Sequence, residues 1–138
     1  MLLTQDAVRV SVPAMSAYEH LVHFEEYPRF MSGVLACTPA DDTSAHLTLD
    51  VGGCRVDLDA VLAEARPGAF VRWESAAMIE SFWLEETPDG CTDVAATVEF
   101  DDPRVHLYSE VPEHVLRNRL RMDLKGFKRL CEESAAVR

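Results

Sequence analysis

Asp123 is the acid whose position most invites chemistry. At 100° per residue it falls within about 20° of the middle of an apolar helical stripe that includes Leu116, Leu120 and Phe127. A carboxyl buried there has its pKa raised by lost solvation and can act as a general acid or base. The same side chain can instead pair with Arg119, one turn earlier, and pin the helix to whatever it packs on. Both readings stay open at the level of sequence. Trp73 is the second candidate. In VRWES (71–75) it shares a strand face with Val71 and Ser75, and an indole in a cavity wall offers a flat surface to an aromatic or polyene ligand. As a core filler it would look the same. His106 and Tyr108 lie in the segment leading into the last helix, and loops carry function more often than the elements they join. They are candidates for proton transfer or for gating a pocket.

Other chemistries find little support. His20 and His23 are spaced to share a metal on a helix, yet no third ligand follows at a recognisable spacing, so no metal is expected. Both histidines are expected at the helix's polar edge. Cys37, Cys54, Cys91 and Cys131 are scattered and contain no CxxC pair, which reads as reduced thiols acting as small hydrophobes. Neither a nucleophile elbow nor a glycine-rich phosphate loop occurs, so no nucleotide or other cofactor is expected.

The elements that must position these residues follow from periodicity. Residues 6–12 alternate, with Val8, Val10 and Val12 on one side, and read as a half-buried strand. Pro13 suits a first helical residue. Ala14, Ala17, Tyr18, Leu21 and Val22 then recur at helical spacing, and Pro28 makes EEYPRFM a second short helix. A succession of strands follows. Leu47, Leu49 and Val51 alternate with polar residues, Gly52-Gly53 turns the chain, and Val56, Leu58, Ala60 and Leu62 alternate in reply. Pro67-Gly68 leads to the 71–75 strand. A strand over about 79–86 turns at Pro88-Asp89-Gly90 into 91–100, where Val94, Ala96, Val98 and Phe100 share a face. In the 79–86 strand one of Phe82 and Trp83 must face out, and the pattern does not say which. From Pro112 to Ser134 the period becomes helical, with Arg117, Arg121, Lys125, Lys128 and Arg129 opposite the apolar stripe. The expectation is an α+β chain: a bent antiparallel sheet of about seven strands around one long C-terminal helix.

The 138 residues suffice for one domain, expected over 1–138, and 48% hydrophobic composition argues against disorder. A net charge of −11 speaks against nucleic acid and against anionic membrane surfaces. No apolar run approaches the roughly 20 residues of a membrane span, and the first residues do not resemble a secretory signal. A soluble cytoplasmic protein is expected.

The run VSVPAMSAYEHLVHFEEYPRFMSGV (10–34) closely resembles the N-terminal signature of the SRPBCC, or START-like, superfamily. More narrowly it is similar to the polyketide cyclase/dehydrase group related to coenzyme Q-binding proteins. VRWES (71–75) and LRMDLKGFKRL (120–130) match two further motifs of that group in order. The resemblance implies a helix-grip fold whose sheet and helix enclose a cavity for a hydrophobic small molecule. Candidate ligand-binding residues are then Leu58, Leu62, Val71, Trp73 and Ser75 from the middle strands, Val98 and Phe100 from the last strand, and Leu116, Leu120 and Phe127 from the helix. Aromatase/cyclase members carry a pocket arginine on a central strand. Arg55 and Arg66 sit near the ends of theirs, so neither matches it. The segments 76–86 and 101–110 also depart from the group's wording. Three functions are expected from this: a polyketide cyclase/dehydratase acting on a polyketide, aromatic or polyene intermediate, a non-catalytic carrier of a lipid or quinone-type molecule, or a subunit docking a biosynthetic partner. A homodimer is a further alternative.

Overall fold

The computed structural model describes residues 2–31, 33–51, 53–76, 78–100 and 112–136. Strand β1 (Leu2–Val10) leads into helix α1 (Ala14–Val22), a 3-10 turn (Phe24–Glu26) and the short helix α2 (Tyr27–Phe30). Six strands follow: β2 (Val34–Asp41), β3 (Ser44–Val51), β4 (Cys54–Arg66), β5 (Phe70–Glu74), β6 (Met78–Glu86) and β7 (Thr92–Phe100). Helix α3 (Pro112–Ala136) ends the described chain. All neighbouring strands are antiparallel, in the order β1-β7-β6-β5-β4-β3-β2.

The expected architecture is therefore present, with corrections at its edges. The first strand covers Leu2–Val10 rather than 6–12; Val12 lies beyond it but is still buried. Pro13 is extended (φ −63°, ψ 158°) and caps α1 instead of entering it. Strand β2 had no alternation to announce it. Only Val34 is buried and only Cys37 is half-buried, as befits an edge strand that carries Pro39. The Gly53 turn has the positive φ that a tight hairpin requires (84°).

The core lies between the sheet's inner face and α3. Alternate residues of each strand point inward: Leu47 and Leu49 on β3, Val56 and Leu58 on β4, Val71 and Trp73 on β5, Val94, Ala96 and Val98 on β7. Leu116, Leu120, Leu124, Phe127, Leu130 and Cys131 of α3 close over them. Full burial of each large side chain contributes roughly 1.5–3 kcal/mol, so this layer dominates the fold's stability. Polar ties fix the helix at its far end. The Lys128 ammonium donates to the Arg9 carbonyl (3.2 Å), and Glu132 accepts from the Ser11 amide (2.9 Å).

Helix α2 wedges under α3. The Phe30 and Phe127 rings meet edge-on at 5.4 Å, and a Cβ built on Gly126 would lie 2.2 Å from the Phe30 carbonyl oxygen. Glycine to alanine inside a helix ordinarily stabilises by up to about 1 kcal/mol. Here backbone blocks the new methyl, so Gly126→Ala is expected to destabilise by about 1–3 kcal/mol, as overpacking does. Urea unfolding measures this, and an unchanged or raised midpoint would contradict the close packing of α2 on α3.

Candidate functional site

Trp73 and Glu80 face each other across β5 and β6, with Val98 flanking Glu80 on β7. Directly opposed residues in an antiparallel pair hold their Cβ atoms about 5 Å apart. Both side chains are buried, at 1% exposure each, so a carboxyl sits on the inner face beside an indole. Burial pushes the Glu80 carboxyl up to about 8; Arg119 works against that rise and Asp123 adds to it. Among the described residues, neither Glu80 oxygen has a hydrogen-bond partner, and the Trp73 indole nitrogen makes no hydrogen bond of regular geometry.

Arg119 and Asp123 enter the same interior from α3. The Arg119 Nε lies 3.8 Å from an Asp123 carboxylate oxygen, with both side chains almost fully buried. The guanidinium rests on Gly33, where a Cβ would come within 2.4 Å of Nε. No hydrogen bond satisfies Arg119 Nε or one of its terminal nitrogens. Arg119 is paired with Asp123, and Glu80, which forms no ion pair among the described residues, is held by burial as the neutral acid at pH 7. A neutral carboxyl, a guanidinium and an indole N–H can all donate to an acceptor oxygen.

An aromatic layer supports this group. The buried Tyr27 hydroxyl donates to the Leu21 carbonyl (2.6 Å), and burial raises its pKa well above the ordinary phenol value. Its ring meets Phe24 (5.5 Å), Phe30 (5.3 Å) and Trp73 (6.2 Å). Phe24 also meets Trp73 edge-on at 6.3 Å. On the far side of Phe24 a cleft of about 650 Å³ opens between the end of α1 and the β2–β3 turn.

The residues singled out in the sequence separate as follows. Asp123 and Trp73 are both buried on the inner side, in company with Arg119. Leu58, Val71, Val98, Leu116, Leu120 and Phe127 are buried there too. Leu62 is half-buried and lines the cleft. Ser75 is engaged in the β5–β6 turn, where its hydroxyl donates to the Met78 carbonyl (3.1 Å) and accepts from the Met78 amide (3.0 Å). His106 and Tyr108 lie outside the described residues, as does the side chain of Phe100. Phe82 is the inward residue of its pair, while Trp83 is 44% exposed on the outer face against Phe70. His20 bonds Glu26 (3.0 Å) and His23 leans on the Glu19 carbonyl. Among the described residues, no three His, Cys, Asp or Glu side chains gather as metal ligands would. Burial pushes the Cys131 thiol up to about 12, which leaves it inert.

Two site residues escaped the sequence reading. The sequence offers Arg119 only as a partner for Asp123, yet the structure buries it in the interior, from the helix and not from a central strand. Glu80 was missed because its parity rides on that of Phe82. With period two, Met78, Glu80, Phe82 and Leu84 face in together, so deciding between Phe82 and Trp83 decides Glu80 as well.

Residues 1–132 match the model of the family described as polyketide cyclase/dehydrase and lipid transport. A curated relative, an uncharacterised 17.2 kDa protein of Streptomyces lincolnensis, is 28% identical over 140 residues, covering 96% of this chain and 91% of its own. Among solved structures, the Zhui aromatase/cyclase of a Streptomyces species superposes with a TM-score of 0.81 at 14% identity, over 96% of this chain and 94% of that one. A START superfamily protein of Mycobacterium smegmatis gives 0.75 at 12% identity, over 95% and 97%. These structures share the fold, and among the described residues no helix is long and apolar enough to cross a membrane. A sheet gripping one long helix, with a few ionisable groups confined in an apolar interior, together with the match over 1–132, places this chain in the polyketide cyclase/dehydrase and lipid-transport family.

Proposed function

We propose that this chain works as a single cytoplasmic domain that holds a hydrophobic polyketide, aromatic or polyene intermediate against Trp73 and directs its cyclisation or dehydration. The observation that carries this reading is the buried Glu80 carboxyl opposite Trp73, its pKa pushed up by burial, with the Arg119–Asp123 pair nearby. The arrangement supplies an acid and a base in one apolar interior. In a cyclisation, Asp123 takes a proton from a carbon between two carbonyls, and the new carbon–carbon bond forms at a third. Glu80 protonates the carbonyl oxygen as its charge develops, and Arg119 stabilises that charge. Dehydration then expels the oxygen as water. Orientation of a flexible chain against the indole supplies much of the rate.

A second reading is a carrier of a lipid or quinone-type molecule. The mostly apolar wall favours it, as does the structural sense of the Arg119–Asp123 pair, which would then only anchor α3. The exposed Trp83 is the feature that suits a partner-docking subunit.

Turnover distinguishes the first two. With a poly-β-ketone thioester analogue as substrate, Glu80→Gln is expected to keep the fold and lose about 10²–10⁴-fold in cyclised product, the usual share of general acid–base catalysis. Wild-type binding without turnover would establish the carrier instead. Glu80 also predicts a pH signature. Its carboxyl titrates near 8 in the fold against 4.5 in the ordinary state. The folded chain thus binds the proton more tightly, and this contribution is complete below the lower value and declines as pH rises toward the upper one. The slope approaches about 1.4 kcal/mol per pH unit. Denaturation of Glu80→Gln beside wild type should show the variant's relative stability rising from pH 5 to 8 and levelling above. Parallel curves would overturn the buried neutral acid.

A further inference from the structure

The cleft beside α1 stands one side chain away from the interior. Phe24 and Leu62 line it, and each also abuts Trp73: Phe24 edge-on at 6.3 Å, Leu62 as its cross-strand neighbour between β4 and β5. Phe24 is itself only 3% exposed, so its ring forms the partition between cleft and indole. The segment bearing it is slight. His23 before it is extended (φ −103°, ψ 91°), and the 3-10 turn spans three residues closed by the Glu26 amide on the His23 carbonyl (3.0 Å). A change of Phe24 rotamer, with or without a shift of this turn, would join a 650 Å³ cleft to the inner face.

The rim has a definite charge. Glu25, Asp41 and Asp42 stand around the opening with His23 the one basic residue among the lining side chains. Asp41 accepts from the Thr43 amide (2.8 Å) and hydroxyl (3.1 Å), which hold it ionised. Farther in, Arg119 is already matched by Asp123. An anionic ligand would pass three carboxylates and then give up its hydration to enter a mostly apolar interior. A neutral ligand meets neither penalty. We propose that this cleft is the portal to the inner face, that Phe24 is its door, and that the carboxylate rim admits uncharged ligands in preference to anions. This rests on the reading of the inner face as a site for a hydrophobic ligand.

Two fluorescent probes of one skeleton test it: neutral N-phenyl-1-naphthylamine and its sulfonate, 1-anilinonaphthalene-8-sulfonate. Stopped-flow binding of the neutral probe to Phe24→Ala or Phe24→Leu should be about 5–10-fold faster in both association and dissociation, with affinity within about twofold, as expected of a gate rather than a binding contact. Phe24→Trp should slow both steps. Replacing Glu25, Asp41 and Asp42 by their amides should raise the sulfonate's association about 10-fold at low salt, leave the neutral probe unchanged, and lose most of its effect at about 0.5 M salt. Circular dichroism confirms that each variant is folded. If the neutral probe binds and Trp73→Phe weakens it, while its rates ignore Phe24, the portal is elsewhere. If the sulfonate associates with wild type as fast as the neutral probe does, the charge filter is overturned. Failure of wild type to bind the neutral probe at all would instead count against the hydrophobic site itself.

Discussion

A guanidinium enclosed by apolar side chains has to be balanced from within, and the interior of this protein is arranged around that requirement. Arg119 leaves α3, lies across the Cα of Gly33 and finds Asp123 one turn along its own helix. The pairing engages the carboxylate that lies closest along the chain, and Glu80 on the opposing sheet forms no ion pair among the described residues. Desolvation then dominates Glu80 and keeps it protonated well above the ordinary carboxyl range. Burial thereby sets the protonation state of this acid on β6, with the Arg119 charge opposing it and Asp123 reinforcing it. A side chain at residue 33 would oblige the guanidinium to move.

The same enclosure makes the site mostly aromatic. Tyr27, Phe24 and Phe30 come from a stretch of seven residues after α1, and together they fill the space beside Trp73. Tyr27 meets Phe24 and Phe30 edge-to-face, the arrangement that ring quadrupoles favour, and lies tilted at 54° to Trp73. Tyr27 spends its hydroxyl on the Leu21 carbonyl at the end of α1, so this layer is also what ties the short helices to the sheet. The support for the indole and the partition of the cleft are thus one structure. A ligand reaching Trp73 from the cleft must disturb packing that also stabilises the fold, which couples access to local stability.

Strand β6 shows how a single ambiguity propagates. Its sequence, MIESFWLEE, offers aromatic residues at adjacent positions and acids on both parities, so either face could have been the inner one. The register with β5 and β7 settles the matter by seating Phe82 between Val71 and Ala96, both buried. Trp83 is left outside, on Phe70, whose other neighbour is the Arg66 guanidinium 4.8 Å from its ring. An outward tryptophan on this face is then a consequence of inner packing.

The sequence by itself determined the order of elements, the inner faces of β3, β4, β5 and β7, and the apolar stripe of α3, because each is a short-range period that survives without knowledge of its neighbours. It also brought Trp73 and Asp123 forward, one from strand alternation and the other from an acid set in a greasy helical stripe. Only the tertiary structure decided that Glu80 joins them, that Arg119 is the interior cation, and that β2 forms the sheet's edge. Those outcomes depend on which strand lies beside which and on how far a buried charge sits from its counter-charge, and distances across the fold leave no period in the chain.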